Sequence, residues 1–189
     1  MNAWPQSPRR LSSTGGTPRL RFVPSGRLMG RFSHVDNVTR VELVLLIGIP
    51  ATGKTSFYAS EFLRSHLRIS RDTLGTKYRE AALFNEALRT QARVVVDNTN
   101  VTRADRARFI VPAKEAGYAV RGYSFESRRE DARARNAVRD ERDRVPEVAI
   151  RDKSSRLELP CLGEGFDELF FVRLDGDRGF VTEEWRDEV

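Results

Sequence analysis

The sequence predicts an α/β chain, a parallel sheet covered by helices on both faces, and three observations carry that expectation. Apolar runs of strand length (residues 41–47, 67–70, 93–97, 118–125 and 169–174) alternate with segments of helical period (56–65, 79–91, 103–115, 128–144 and 147–157), and such alternation builds parallel βαβ units. The first run leads directly into Gly48-Ile49-Pro50-Ala51-Thr52-Gly53-Lys54-Thr55, which fits G-x-x-x-x-G-K-[ST] between a strand and a helix. Three candidate functional sites follow Ile47, Ser70 and Val96, at carboxyl ends of strands, where ligands sit in sheets of this kind.

Each element has its own warrant. Residues 41–47 are an apolar strand that stops at a glycine. Glycines let the next backbone curl so that successive N–H groups point at phosphate oxygens, and the N-terminus of the following helix adds to that field. Lys54 is expected to reach the β- and γ-phosphates and Thr55 to offer its hydroxyl to Mg²⁺. Gly48, Pro50, Ala51, Thr52, Gly53, Lys54, Thr55 and Ser56 are therefore the expected triphosphate-binding set. In helix 56–65, Phe57, Phe62 and Leu63 supply the expected buried face; in helix 79–91, Ala82, Leu83, Ala87 and Leu88 recur at helical spacing. The β-branched run at 93–97 ends in Asp97, and Asn98-Thr99-Asn100 turns the chain. Helix 103–115 has Gly117 as its expected C-cap. Residues 128–144 read as one charged helix stopped near Pro146, residues 147–157 as a shorter one, and 169–174 as the last strand.

At 189 residues, 39% hydrophobic and 32% charged, the chain has room for one core domain and the composition of a soluble globular protein. No apolar run approaches the roughly 20 residues that span a bilayer, no membrane partner is expected, and the expected location is cytoplasmic. Cys161 is the only cysteine, and His34 and His66 are the only histidines. That excludes a disulfide framework and argues against histidine-based metal or triad chemistry. The net charge of +6 belongs to residues 1–40, with seven arginines against Asp36, whereas residues 41–189 hold 26 basic and 26 acidic residues. The first 40 residues, rich in Pro, Ser, Gly and Arg without periodicity, read as a disordered basic tail. Residues 41–175 read as the core domain and 176–189 as a C-terminal tail.

Three groups beyond the loop are candidates for chemistry, each with a plainer alternative. Asp72, directly after a strand, is placed to accept the proton of an attacking hydroxyl; it could equally cap the segment at Thr73 or pair with Arg71. Asp97 ends a strand where phosphate-loop proteins hold Mg²⁺, or it forms an Asx-turn with the residues after it. Arg135, Arg139 and Arg142 share a helical face by spacing and could close over a triphosphate, while Asp131, Asp140, Glu141 and Asp143 could make the same segment a self-paired, solvated helix.

Together these residues resemble one family. The phosphate loop, Ile69-Ser70-Arg71-Asp72-Thr73-Leu74-Gly75, Val95-Val96-Asp97-Asn98-Thr99-Asn100 and Ala134-Arg135-Asn136-Ala137-Val138-Arg139 stand in the order and spacing of P-loop polynucleotide 5′-hydroxyl kinases, in particular the kinase half of polynucleotide kinase–phosphatases. Leu159-Pro160 and Glu164-Gly165-Phe166 extend the match, which covers about residues 41–174. The resemblance implies a P-loop NTPase/kinase fold with an Arg-rich lid, ATP and Mg²⁺ as cofactors, and a role in nucleic acid repair. It implies Asp72 as general base, with Lys54 and Arg139 as the other catalytic groups. Thr55 and Asp97 would be on the metal, Arg135 and Arg139 on the transferring phosphate, and Arg71, Asp97, Asn98, Thr99 and Asn100 on the substrate side. Two departures stand out. Gly75 replaces an arginine that the phage enzyme of the family uses on the acceptor 3′-phosphate, although kinase–phosphatases also have Thr-Leu-Gly there. The D-x-D-x-T signature of the phosphatase half is absent from these residues.

The expected function is transfer of the γ-phosphate of ATP to a hydroxyl, by preference the 5′-OH of a polynucleotide. A small hydroxylated metabolite or antibiotic as acceptor, or a nucleotide-binding module without transfer, are the alternatives.

Overall fold

The computed structural model describes residues 41–176 and 179–186, so the expected basic tail at 1–40 lies outside the described residues. Strand β1 (Glu42–Ile47) is the hub. Every one of its residues is buried, because it pairs in parallel with β3 (Val94–Asp97) on one side and β4 (Ala119–Phe125) on the other. A strand covered on both faces has no solvent side on which to place polar residues, which is why Leu43–Ile47 reads as a continuous apolar run.

The sheet order is β2-β3-β1-β4-β5-β6, with β2 at Leu67–Ile69, β5 at Glu168–Leu174 and β6 at Phe180–Glu184. The first five strands are parallel and β6 is antiparallel to β5. From β1 the chain runs to β2 and β3 on one side and then crosses to β4 on the other, so the strand order reverses beside β1 and a crevice opens at its carboxyl end. Gly122 in β4 is a point of close approach: a Cβ there would lie 2.5 Å from Leu169 Cδ1 and 2.7 Å from Phe166 Cε1.

Two cores flank the sheet. One face packs Phe84 and Ala87 of α3 (Lys77–Arg89) and Phe109, Ile110 and Ala113 of α4 (Arg103–Glu115) against Leu43, Leu45 and Ile47. The other packs Phe57 and Tyr58 of α1 (Lys54–Glu61) against Val44, Leu46 and Phe125. Of the expected apolar faces, Phe57 is buried and Phe62 half-buried, but Leu63 is 60% exposed. Helix α1 ends at Glu61, so Leu63 falls in the turn beyond it. Ala82 is likewise exposed, and Glu80 takes its expected place on the buried face of α3.

Two further expectations are corrected. Residues 128–144 are not one helix. Helix α5 spans Arg129–Ala137, and a 3₁₀ turn at Glu141–Asp143 leads to α6 (Glu147–Ser155). The break is held by Asn136, whose side-chain amide donates to Val145 O at 2.8 Å and whose Oδ1 accepts from Val145 N at 3.0 Å. The common helical face of Arg135, Arg139 and Arg142 therefore does not exist. Nor is β5 the last strand: the expected tail at 176–189 contains β6, which extends the sheet. Arg71 and Asp72 follow β2 as expected, with Ser70 between, and open a one-turn helix, α2 (Arg71–Leu74).

A buried ion pair fastens α4 to the chain around it. Arg106 is fully buried and donates to both oxygens of Glu164 at 2.6 and 2.7 Å, and to the carbonyls of Asn100, Val101 and Glu158 at 3.1, 3.2 and 3.0 Å. Removing one partner of such a pair strands the other charge in a low dielectric. Glu164→Ala is expected to lower stability by about 3–5 kcal/mol, read by urea unfolding; a loss below about 1 kcal/mol would contradict the assignment.

Candidate active site

The loop after β1 is built by conformations that few residues tolerate. Gly53, the N-cap of α1, has φ 92° and ψ 7°, and Ala51 stands at φ 63°. A left-handed alanine is strained by roughly 1–2 kcal/mol; its carbonyl is held by Arg135 Nε at 2.8 Å. Space is as demanding as conformation. A Cβ on Gly53 would lie 3.1 Å from Phe180 Cε1, and one on Gly48 would lie 3.1 Å from Phe125 Cβ, Ser127 Oγ and Thr52 Oγ1. Strand β6 thus braces the loop from behind through Phe180, which also meets Phe57 at 5.1 Å between ring centroids.

Lys54 is buried by the loop that carries it. Its ammonium donates to Gly48 O at 3.0 Å, Ile49 O at 2.6 Å and Thr52 Oγ1 at 3.3 Å. Burial depresses its pKa to about 8, Arg139 pushes the same way, and Asp97 and Asp72 oppose both. The group is desolvated more than it is paired, so an anion brought to it gains strongly.

Thr55 and Asp97 meet as the motif requires: Thr55 Oγ1 donates to Asp97 Oδ2 at 2.9 Å. This carboxylate does not form the alternative Asx-turn, being held also by Arg68 through Nε at 2.9 Å and Nη2 at 2.6 Å. A hydroxyl beside a carboxylate is a hard oxygen set that suits Mg²⁺. Arg68 was not foreseen. It lies on β2, whose register sets Arg68 beside Val95 and Ile69 beside Val96, and strand pairing is not legible in local sequence.

Asp72 is exposed and lines the same cavity, of about 450 Å³, as Pro50, Gly53, Lys54, Thr55 and Arg139. Both plainer readings of it fail. Ser70, not Asp72, is the N-cap of α2, and Arg71 pairs with buried Glu80 at 3.1 Å. Glu80 also accepts from Asn98 Nδ2 at 2.6 Å and Arg108 Nη2 at 3.3 Å, and Asn98 Oδ1 accepts from Arg71 N at 2.9 Å. That network fixes α2, and with it Asp72, against the end of β3. Asn100 donates to Leu46 O at 2.8 Å, and Thr99 O accepts from Gly48 N at 2.9 Å, so the turn after β3 is sewn to the phosphate loop.

The cavity thus gathers Asp72, Lys54, Arg139, Arg71, Asp97, Asn98, Thr99 and Asn100 together with Pro50, Ala51, Gly53 and Thr55. Gly48, Thr52, Ser56 and Arg135 are not on its wall. The first two shape the loop and Arg135 braces it, while exposed Ser56 is not brought to the site. Lys77, Arg108, Lys153 and Arg156 line the cavity without having been singled out; their cationic ends come from α3, α4 and α6 and share no motif.

Among known proteins, a family model described as an AAA domain matches residues 68–160. The bifunctional polynucleotide phosphatase/kinase of Schizosaccharomyces pombe is 32% identical over 137 residues, 70% of this chain and 34% of that protein. A putative enzyme of the same description from Acanthamoeba polyphaga mimivirus is 28% identical over 185 residues, 94% of this chain and 43% of its own. The chain therefore spans well under half the length of these relatives. Chaetomium thermophilum Kti12, solved with ADP-AlF3, superposes with a TM-score of 0.57 at 21% identity, over 72% of this chain and 91% of that one. The fold is that of the P-loop kinases, and the chain resembles the polynucleotide kinases. Within a P-loop fold the buried lysine and the strand-end carboxylate are expected features. No helix among the described residues is long and apolar enough to cross a membrane.

The depressed Lys54 pKa has a sign that can be checked. Below pH 8 both folded and unfolded chains hold the proton, and the folded chain bears the full cost of the buried charge. Between about 8 and 10.5 only the unfolded chain holds it, so stability rises with pH across that window. The full span corresponds to about 3 kcal/mol. Tyr123, pushed up to about 12 by burial, ionises first when unfolded and opposes the rise above pH 10. Urea midpoints from pH 7.5 to 10 are expected to climb in the wild type and to lose that climb in Lys54→Met.

Proposed function

We propose that this chain transfers the γ-phosphate of ATP to the 5′-hydroxyl of a polynucleotide. The observation that carries the reading is a single cavity in which the phosphate loop and Asp72 face one space. Among the described residues the Asp72 carboxylate has no hydrogen-bond or ion-pair partner and is therefore available to take a proton. The similarity to proteins described as polynucleotide phosphatase/kinases supports the choice of acceptor.

The residues then divide the work. Loop N–H groups and Lys54 hold the triphosphate, the ammonium leaving the carbonyls of Gly48 and Ile49 for phosphate oxygens. Thr55 and Asp97 would hold Mg²⁺, which would supply charge to neutralise the triphosphate. Asp72 accepts the hydroxyl proton as that oxygen bonds the γ-phosphorus, the bond from γ-phosphorus to the bridging oxygen breaks, and ADP departs with the electron pair. Arg139, on the loop after α5, faces the same cavity and is assigned to the charge on the transferring group. Arg135, bonded to Ala51 O, is reassigned from phosphate ligand to brace of the loop.

A small hydroxylated acceptor is the second reading, favoured by the charge neutrality of residues 41–189; a polymer groove commonly carries net positive charge. With γ-labelled ATP, Mg²⁺ and a 5′-OH oligonucleotide, the wild type is expected to label the oligonucleotide. Asp72→Ala should be slower by about 10²–10⁴-fold with unchanged ATP affinity. Equal labelling by the variant would remove Asp72 as base, and wild-type protein that labels only small hydroxylated compounds would replace the polynucleotide reading.

A further inference from the structure

The cavity is far more positive than the domain around it. Seven basic residues line it (Lys54, Arg71, Lys77, Arg108, Arg139, Lys153 and Arg156) against Asp72, Asp97 and Asp105, a net of +4 within residues 41–189 that sum to zero. Arg68 and Glu80, which touch this wall from behind, cancel each other. A magnesium-bound triphosphate carries a charge of about −2, so the donor alone leaves positive charge unmatched. A neutral acceptor would enter a site still short of anions.

The surplus has an address. Lys54 and Arg139 sit with the donor, and Arg71 and Arg108 are tied to Glu80. Lys77, in the first turn of α3, has no carboxylate within 4.0 Å among the described residues, and neither does Lys153. Arg156 has only a loose exposed pair with Asp152 at 3.6 Å. Ala149, Lys153 and Arg156 follow at spacings of four and three, so one face of α6 and the residue capping it turn toward the cavity. Lys77 reaches the same cavity from α3. Unpaired cations from separate elements suit the backbone phosphates of a polymer.

We propose that Lys77, Lys153 and Arg156, drawn from α3 and the end of α6, form a cation rim that selects the acceptor by the backbone phosphates next to its reacting hydroxyl. The proposal rests on the polynucleotide reading and names the residues that enforce it. The cations of the rim come from elements that do not form the phosphate loop, so acceptor recognition is separable from donor binding.

The test measures kcat/KM for a single-stranded 5′-OH oligonucleotide from 50 to 300 mM salt, in wild type, Lys153→Gln/Arg156→Gln, Lys77→Gln and Lys153→Arg. The slope of log kcat/KM against log salt should flatten by roughly 0.7 for each cation removed, with KM for ATP unchanged, and Lys153→Arg should keep the wild-type slope. Unchanged slopes in the glutamine variants, or a rise in KM for ATP to match that of the oligonucleotide, would overturn the rim while leaving the polynucleotide reading intact. Absence of wild-type transfer to any oligonucleotide would overturn both.

Discussion

A buried ammonium facing its own loop's carbonyls is the constraint on which this structure depends. Lys54 can occupy that position only if the chain curls tightly enough to bring Gly48 O and Ile49 O within hydrogen-bond reach. The curl in turn requires positive φ at Gly53 and a left-handed Ala51. Strain of that kind persists only where its surroundings over-determine it. Here Phe180 fills the space behind Gly53, Arg135 holds the Ala51 carbonyl, and Thr99 O and Asn100 tie the loop to the end of β3. The last strand, the broken helix and the turn after β3 therefore all serve one geometry.

The second layer of that geometry is ionic and buried. Asp97 is shared by Thr55 and Arg68, Glu80 by Arg71, Asn98 and Arg108, and Glu164 by Arg106. Buried ion pairs are weak sources of net stability because desolvation offsets attraction. What they supply here is position. Each joins separate elements, β2 to the end of β3, α2 and α4 to α3, and α4 to the turn before β5.

The legible parts of the sequence were those whose signal is local. The run at 42–47, the phosphate loop and helix 103–115 are each specified by neighbours in the chain, and the structure places them within a residue or so of expectation. The parts that were not legible are set by distant partners. Helix 128–144 breaks after Ala137 because Asn136 captures the backbone of Val145, a contact that helical spacing and charge do not encode. Strand β6 hides in a polar stretch after Gly176 and Gly179 and is defined by pairing with β5. Arg68 and Glu80 belong to no motif, although Glu80 shares the apolar period of Phe84 and Ala87 on α3. A charged residue on a buried stripe was the one signal that could have found that network.

The central claim is that Lys54 is held desolvated, with a pKa near 8, so that a polyphosphate can reclaim its charge. Calorimetric titration of ATP and Mg²⁺ at pH 8.5, in two buffers of different ionisation enthalpy, measures this directly. The account predicts net proton uptake on binding and none in Lys54→Met. Binding of equal affinity with no buffer dependence would contradict it.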